Sequence, residues 1–473
     1  MAVRGRYVLA IDNGSQSTKV SLIDVDGVVH ARARVGLRPY ATSSEGRVVH
    51  PEDDVWDSIA AACRMLFSRF AGDRAEIVAV GLCTIRFCRA VLDADGLLSE
   101  PMMSWMDSRV GRPYEPADDR ARFVTTSSGY ATHRLTGAFV DTAANYQGVW
   151  PIDPLTWRWS EDPQPYRATG MARERLFELV DPGGLLGCVT EPASRETGIP
   201  AGLPVYATAN DKAVEALGAG LRSPTELVLS LGTYVAAMTV GSDPTPAEAY
   251  WVNFGSRPHQ YLYESEGIRR GMWTVSWFRS LLEAEPGQGE RLYSLEAELN
   301  AGAVSVAAGS GGLMTVLDWL APAHQPSRRG AFVGFDGSQD RFHIYRSILE
   351  GLVFTMADHS AAMADALGRE FDRVVLTGGG ARSAVIAEIA ANVFDMPIER
   401  AEAEDCTGTG AAICAAVGSG MHSSWDDAVT AMVRRESVAE PDRALVRRYQ
   451  PFRRRHTELR SRVHELTEWM ASP

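Results

Sequence analysis

The sequence predicts an α/β fold of two related halves that face each other across a cleft. Three observations predict it. A glycine-and-hydroxyl turn between two strands occurs twice, first as Tyr7-Val-Leu-Ala-Ile-Asp12-Asn-Gly14-Ser15-Gln-Ser17-Thr18-Lys19-Val-Ser-Leu-Ile23 and again as Leu227-Val-Leu-Ser-Leu231-Gly232-Thr233-Tyr-Val-Ala-Ala-Met-Thr-Val240. Between them, small residues and a proline at 216–226 (Ala-Leu-Gly-Ala-Gly-Leu-Arg-Ser-Pro-Thr-Glu) mark a crossover from one half to the other. Further on, Val374-Val-Leu-Thr377-Gly378-Gly379-Gly380 is an apolar strand entering a glycine-rich turn. Gly lets backbone approach a bound group, and exposed N–H and hydroxyl donors suit phosphate oxygens. Two such hairpins, one per half, suggest a grip on a polyphosphate from both sides.

The elements follow in order. Strands near 7–12 and 17–23, the turn Asp24-Val-Asp26-Gly27 and a strand near 28–35 form a meander. Val55, Ile59, Ala62, Leu66 and Phe67 have helical spacing within 52–71, with Gly72 as the stop. Ile77–Leu82 and Ala90–Asp93 read as strands, and Pro- and Trp-rich loops occupy 149–166. A long apolar-periodic helix is expected over 343–366, another from Arg382 to Phe394, and a tightly packed small-residue helix over Gly408–Val417. The basic tail, 443–461, reads as a solvated terminal helix. The expected domain limits are 1–220, 221–440 and a helical tail at 441–473.

Composition bounds the function. With 473 residues, 45% apolar and 23% charged, the chain has the make-up of an ordinary globular enzyme with two or three domains. No apolar run approaches the roughly 20 residues that span a bilayer, and the start Met-Ala-Val-Arg-Gly-Arg-Tyr leads straight into a strand; a cytoplasmic location is expected. A net charge of −13 argues against nucleic acid or an anionic membrane as partner. Six cysteines without a C-x-x-C pair point to buried free thiols rather than zinc or disulfides.

Four groups of residues suit chemistry. Asp12 ends a strand beside the first turn, where it serves either as a turn residue or as a carboxylate for Mg²⁺, usually through water. Thr377-Gly378-Gly379-Gly380-Ala381-Arg382-Ser383 resembles a nucleotide loop at a helix start, although such turns also serve packing. Asp211, in Asn210-Asp211-Lys212, is either a helix N-cap or a general base facing the cleft. Trp105-Met-Asp107-Ser-Arg109 either binds a polyol, with the ring on carbon and the charges on hydroxyls, or is a salt bridge beside a core Trp. The Walker and G-x-G-x-x-G patterns are absent.

These elements, in this order, resemble the FGGY carbohydrate kinases of the sugar-kinase, actin and heat-shock-chaperone ATPase superfamily. The resemblance covers nearly the whole chain. Asp12–Lys19 and Leu229–Thr233 match the two phosphate motifs, and Thr377–Ser383 with Asp405-Cys-Thr-Gly-Thr-Gly410 the adenosine region. Leu349-Glu350-Gly351 and Arg134-Leu-Thr-Gly137 match a further motif in each half. The family implies two actin-like (ribonuclease H-like) domains flanking a cleft in which ATP, Mg²⁺ and sugar meet. By that resemblance Asp211 falls on the catalytic base, with Asp12 and Asp211 on the metal side. Gly14, Ser15, Ser17, Thr18, Lys19, Gly232 and Thr233 would hold phosphates, and Gly378, Gly379, Gly380 and Ser383 the nucleotide. Arg86, Trp105, Asp107, Arg109 and Asp211 would line the sugar side.

Two departures concern that side. Ile85-Arg86-Phe87 replaces the Gln-Met-His of xylulokinases and the Gln-Arg-Glu of glycerol kinases, so Arg86 is available for an extra oxygen or an acidic group. Only 24 residues separate Arg109 from Arg134, so the helical segment that the family carries there is lost and part of the substrate wall is remodelled. The resulting expectation is a kinase for a terminal hydroxyl of a small sugar or polyol, such as a ketopentose. A weakened relative that senses sugar or nucleotide is the alternative, and an actin-like or chaperone-like ATPase a more distant one. The expected partner is a small-molecule sugar or polyol, with no nucleic acid or membrane; homodimers are common among relatives.

Overall fold

The computed structural model describes residues 6–282, 289–322 and 325–472; the expected lead into the first strand from Met1 falls partly outside them. The first sheet has six strands: β1 (Tyr7–Asn13), β2 (Ser17–Asp24), β3 (Val29–Gly36), β4 (Ile77–Thr84), β5 (Leu185–Cys188) and β6 (Pro204–Ala207). Their spatial order is β5-β6-β4-β1-β2-β3. The hairpin β1–β2 and the pair β2–β3 are antiparallel, whereas β1–β4 and β4–β6 are parallel and β5 returns antiparallel at the edge.

The second sheet repeats this plan. Its strands are β7 (Glu226–Leu231), β8 (Val235–Gly241), β9 (Tyr250–Phe254), β10 (Tyr261–Ser265), β11 (Arg373–Thr377), β12 (Ile398–Ala401) and β13 (Arg435–Ala439). They lie in the order β9-β10-β8-β7-β11-β12-β13. Here too an antiparallel hairpin, β7–β8, adjoins two parallel neighbours, β11 and β12, with an antiparallel edge strand beyond. The duplication expected from the paired hairpins is therefore present in strand order and direction. Ligands of such sheets bind beyond the carboxyl ends of the parallel strands, which directs attention to the residues after β1, β4, β6, β7, β11 and β12.

Helices cover the sheets. Helix α1 (Asp54–Arg69) buries Val55, Ile59, Ala62, Leu66 and Phe67, the stripe read from the sequence, and stops at Phe70. In chain order follow α2 (Ser127–Thr136), α3 (Asp211–Gly218), α4 (Arg341–Leu367), α5 (Ala384–Phe394), α6 (Cys406–Gly418) and α7 (Arg443–Ala471). Helix α5 starts two residues later than expected, because Gly379–Arg382 closes a short 3-10 turn and Ser383 is the N-cap.

The terminal helix differs from the expectation of a solvated tail. It runs to Ala471 and buries Val446, Tyr449, His456, Val463 and Thr467. These positions recur every three, four or seven residues and form one docking face that arginine-rich composition conceals. Tyr449 accepts a hydrogen bond from Arg346 Nη2 (2.7 Å), and His456 Nε2 lies 2.9 Å from Thr315 O.

The two motifs outside the cleft are structural fastenings. Glu350, buried in α4, accepts from Gly309 N, Ser310 Oγ, Arg346 Nε and the Tyr449 hydroxyl. Arg134 donates to the Tyr130 hydroxyl and Glu196, pairs with Asp53, and lies over the Trp56 ring. Gly137 then ends α2 in the left-handed conformation.

The halves meet where α3 crosses α6. Ala411, Ala412, Ile413, Cys414, Ala415 and Ala416 are all fully buried there. Small side chains let the helix backbones approach closely. A Cβ on Gly218 would collide with the Cys406 carbonyl oxygen, and one on Gly410 with that of Val214. Gly218→Ala and Gly410→Ala are therefore expected to destabilise by about 1–3 kcal/mol through overpacking. Helix propensity alone would favour alanine by about 1 kcal/mol, so a lowered melting temperature isolates the collision. Gly111→Ala, where an added Cβ meets nothing within 4 Å, should leave melting unchanged.

Candidate active site

The carboxyl ends of both sheets supply one polar cleft. From the first sheet come Asp12 at the end of β1, Arg86 just beyond β4 and Asp211 after β6. From the second come Gly232-Thr233 after β7, the glycine triplet after β11 and Asp405 after β12. Lys19 bridges the two sets: its Nζ lies 2.8 Å from Asp12 Oδ2 and 3.2 Å from Asp405 Oδ1.

Asp211 is not the helix cap. Asn210 holds that position, its Oδ1 accepting from Lys212 N and Ala213 N at 3.1 Å each. Asn210 Nδ2 also donates to Phe254 O (3.4 Å), which ties the start of α3 to the second sheet. The capping alternative for Asp211 is thereby removed, and its side chain is left free. Asp211 Oδ1 is buried without a hydrogen-bond partner among the described residues; Arg86 Nε lies 3.9 Å away. Burial raises the Asp211 carboxyl above its ordinary range, and the charges of Arg86 and Lys212 oppose the rise.

Asp12 is 4% exposed and carries its Lys19 contact on Oδ2. Burial, then the Asp405 charge, push its carboxyl up to about 7 against the pull of Lys19. The donor set of Asp12, Asp405 and Asp211 is all hard oxygen, which suits Mg²⁺. No cluster of three or more acidic, His or Cys ligands forms a metal cage among the described residues. Mg²⁺ held by one or two carboxylates, waters and substrate phosphates needs no such cage, so the residues fit a phosphate-borne Mg²⁺.

The hairpin residues divide into two kinds. Gly14 N donates to Ser17 O (3.1 Å), closing the first turn with Gly14 and Ser15 partly exposed. Thr18 is fully buried, its hydroxyl 2.7 Å from both Asn13 Nδ2 and Ser58 Oγ. Ser17 is buried as well and accepts from Arg34 Nε (3.0 Å). These two hydroxyls brace the hairpin, and the cleft sees its backbone and Lys19. In the second hairpin Gly232 is partly exposed and Thr233 exposed.

Gly378 has φ +79° and ψ −178°, a conformation that favours glycine, and an added Cβ would sit 2.8 Å from Leu231 O. Around Gly379 the space is open. Ser383 donates to Asn300 Oδ1 (2.9 Å) and caps α5, so its hydroxyl serves the fold.

Asp107 and Arg109 form a bidentate pair at 2.9 Å, and Asp107 Oδ2 also accepts from Val48 N. Burial would raise the Asp107 carboxyl, but the bonds from Arg109 and Val48 hold it below its usual range. Trp105 is 41% exposed rather than a core residue.

Three acidic residues were given no individual role by the sequence reading. Asp405 was visible only as part of a motif. Glu215, one turn past Asp211, accepts from Lys212 Nζ (2.9 Å), Ser230 Oγ (2.8 Å) and Thr377 Oγ1 (2.7 Å), so it fastens α3 to the strands that lead into both turns of the second sheet. Glu264 pairs with Arg86. A Glu inside the apolar run Tyr261-Leu-Tyr-Glu-Ser265 is a signal in itself, since a buried charge requires a partner.

Comparison with known proteins bears on the family and the fold. Residues 7–115 match the family model "FGGY family of carbohydrate kinases, N-terminal domain", and residues 227–419 the C-terminal one. The chain is 44% identical to the "Uncharacterized sugar kinase YgcE" of Escherichia coli, over 94% of this chain and 91% of that protein. It is 22% identical to a xylulose kinase of Bacillus subtilis over 94% of each. Among solved structures, a xylulose kinase of Rhodospirillum rubrum superposes with a TM-score of 0.84 at 24% identity, covering 98% of this chain and all of that one. A Plasmodium falciparum glycerol kinase with ADP gives 0.79 at 16%, covering 98% of each. At these identities the structural likeness shows the fold.

The Asp12 carboxyl generates a pH prediction. Its native value lies above that of an exposed carboxylate, so the folded state holds the proton more tightly than the unfolded one. The stability from this group is complete below about pH 4 and is lost as pH rises through about 7. Asp12→Asn cannot ionise, so its melting temperature relative to the parent is expected to climb between about pH 5 and about pH 8. A difference that stays flat or falls contradicts the assignment.

Proposed function

The chain belongs to the FGGY family of carbohydrate kinases, and from that membership we propose that it transfers the γ-phosphoryl group of ATP to a terminal hydroxyl of a small sugar or polyol, with Asp211 as general base. The observation that carries this reading is the Asp211 carboxylate. It follows the Asn210 cap, faces the cleft, and has one oxygen without a hydrogen-bond partner among the described residues. A substrate hydroxyl donating to that oxygen would be oriented for in-line attack and could yield its proton there.

Phosphoryl transfer is mostly positioning and charge stabilisation. The backbone at Gly14 and Ser15, together with Gly232 and Thr233, would receive the phosphates from opposite sides. Lys19 supplies a cation at the same place, and Gly378 and Gly379 leave room for the nucleotide. When bound, Mg²⁺ neutralises charge on the phosphate oxygens, and Asp12 would hold it, with Asp211 nearby. Glu215 keeps α3 in register with both phosphate turns through Ser230 and Thr377. Trp105 would pack on sugar carbons.

The chain's acceptor is proposed within the range of its relatives, which include proteins named xylulose kinase, glycerol kinase and L-fuculokinase. The test is ADP release across ketoses and polyols. Asp211→Asn is expected to lower sugar-dependent kcat by about 10²–10⁴-fold while nucleotide affinity is retained. Unchanged turnover in the variant would remove Asp211 from the role of base.

A further inference from the structure

Arg86 stands beside Asp211, where a free guanidinium would recruit an acidic substrate. It is not free. Its Nη1 lies 2.6 Å from Glu264 Oε2 and its Nη2 2.8 Å from Glu264 Oε1, a bidentate pair in which the acid is 2% exposed. Nη1 also donates to Asn253 Oδ1 (3.2 Å), and Asn253 Nδ2 donates back to Glu264 Oε2 (3.3 Å). Three of its five N–H donors are thus taken by Glu264 and Asn253, and the Nε lies 3.9 Å from Asp211 Oδ1. The acidic group that Arg86 meets thus belongs to the protein.

The remaining charges point the same way. Lys212, next to Asp211, is drawn off by Glu215 and Ser230. Burial beside Glu264 keeps the Tyr234 hydroxyl protonated. This end of the cleft therefore sets one guanidinium against two carboxylates. Asp211 Oδ1 and Gln147 Oε1, both acceptors, are buried here without a partner among the described residues, and Gln147 joins the cluster through Asn253 Oδ1 (3.3 Å). A hydroxyl can donate to such atoms, whereas a carboxylate cannot and would be repelled.

We propose that Glu264 is a specificity-determining residue: by neutralising Arg86 it restricts the acceptor to an uncharged sugar or polyol and excludes sugar acids. This rests on the kinase reading above.

The test compares D-xylulose, xylitol and D-glucitol with D-xylonate and D-gluconate as acceptors, in the parent and in Glu264→Gln. The parent should favour its best neutral acceptor over either aldonate by about 100-fold or more in kcat/KM. Glu264→Gln, which keeps shape but frees the Arg86 charge, should narrow that ratio by about tenfold or more. A parent that prefers an aldonate, or a variant that loses both classes equally while melting like the parent, overturns the proposal. Should Glu264→Gln fail to fold, Glu264→Asp, which keeps the charge, is expected to retain the parent's preference, and a reversal there also overturns it. If no acceptor is phosphorylated, the kinase reading fails separately. Calorimetric binding of the same five compounds then decides, with tighter aldonate than polyol binding as the contrary result.

Discussion

The crossing of α3 over α6 is the constraint on which the rest of the molecule depends. Two glycines, Gly218 and Gly410, remove the side chains that would hold the helix backbones apart. Because α3 begins at Asp211 and α6 at Cys406, the crossing sets Asp211 and Asp405 in fixed relation. Glu215 then joins α3 to β7 and β11 by two hydroxyl hydrogen bonds. One contact between small-residue helices thus orders the carboxylates of one half against the glycine turns of the other.

The electrostatics of the cleft follow from that packing. A chain of net charge −13 gathers Lys19, Arg86 and Lys212 at the carboxyl ends of its sheets, each already engaged with acid groups. Paired cations are partly neutralised. The phosphates of a nucleotide would be received by backbone donors and by Lys19. Phe87 adopts φ +62°, uncommon for a residue other than glycine, beside the Arg86 guanidinium that lies over its ring. Strain of that kind persists where surrounding contacts over-determine the backbone.

Local features were legible in the sequence. The meander of β1, β2 and β3, the stripe of α1 and the hairpin of β7 and β8 were read within a residue or two, because each depends on contacts near in the chain. The Asp211 role was narrowed to two alternatives, and its neighbour Asn210 settled the capping one. Pairings across the halves were not legible. Glu264 lies 178 positions from Arg86 and Glu215 lies 162 from Thr377, and no periodicity reports such encounters. The docking face of α7 was hidden for a different reason: its buried residues are few, and Tyr449 and His456 are polar as well as packed. The Asp107–Arg109 pair shows a motif resolving into an internal salt bridge while its Trp105 stays accessible.

The central claim is that this cleft joins a nucleotide to an uncharged acceptor and moves a phosphoryl group between them. Phosphorus-31 NMR of the protein with ATP, Mg²⁺ and a polyol or ketose examines that most directly. The account predicts a new phosphomonoester resonance, split by the two protons of a terminal carbon, growing in step with loss of the γ-phosphate signal. Growth of inorganic phosphate alone, at a rate indifferent to the sugar, would contradict it.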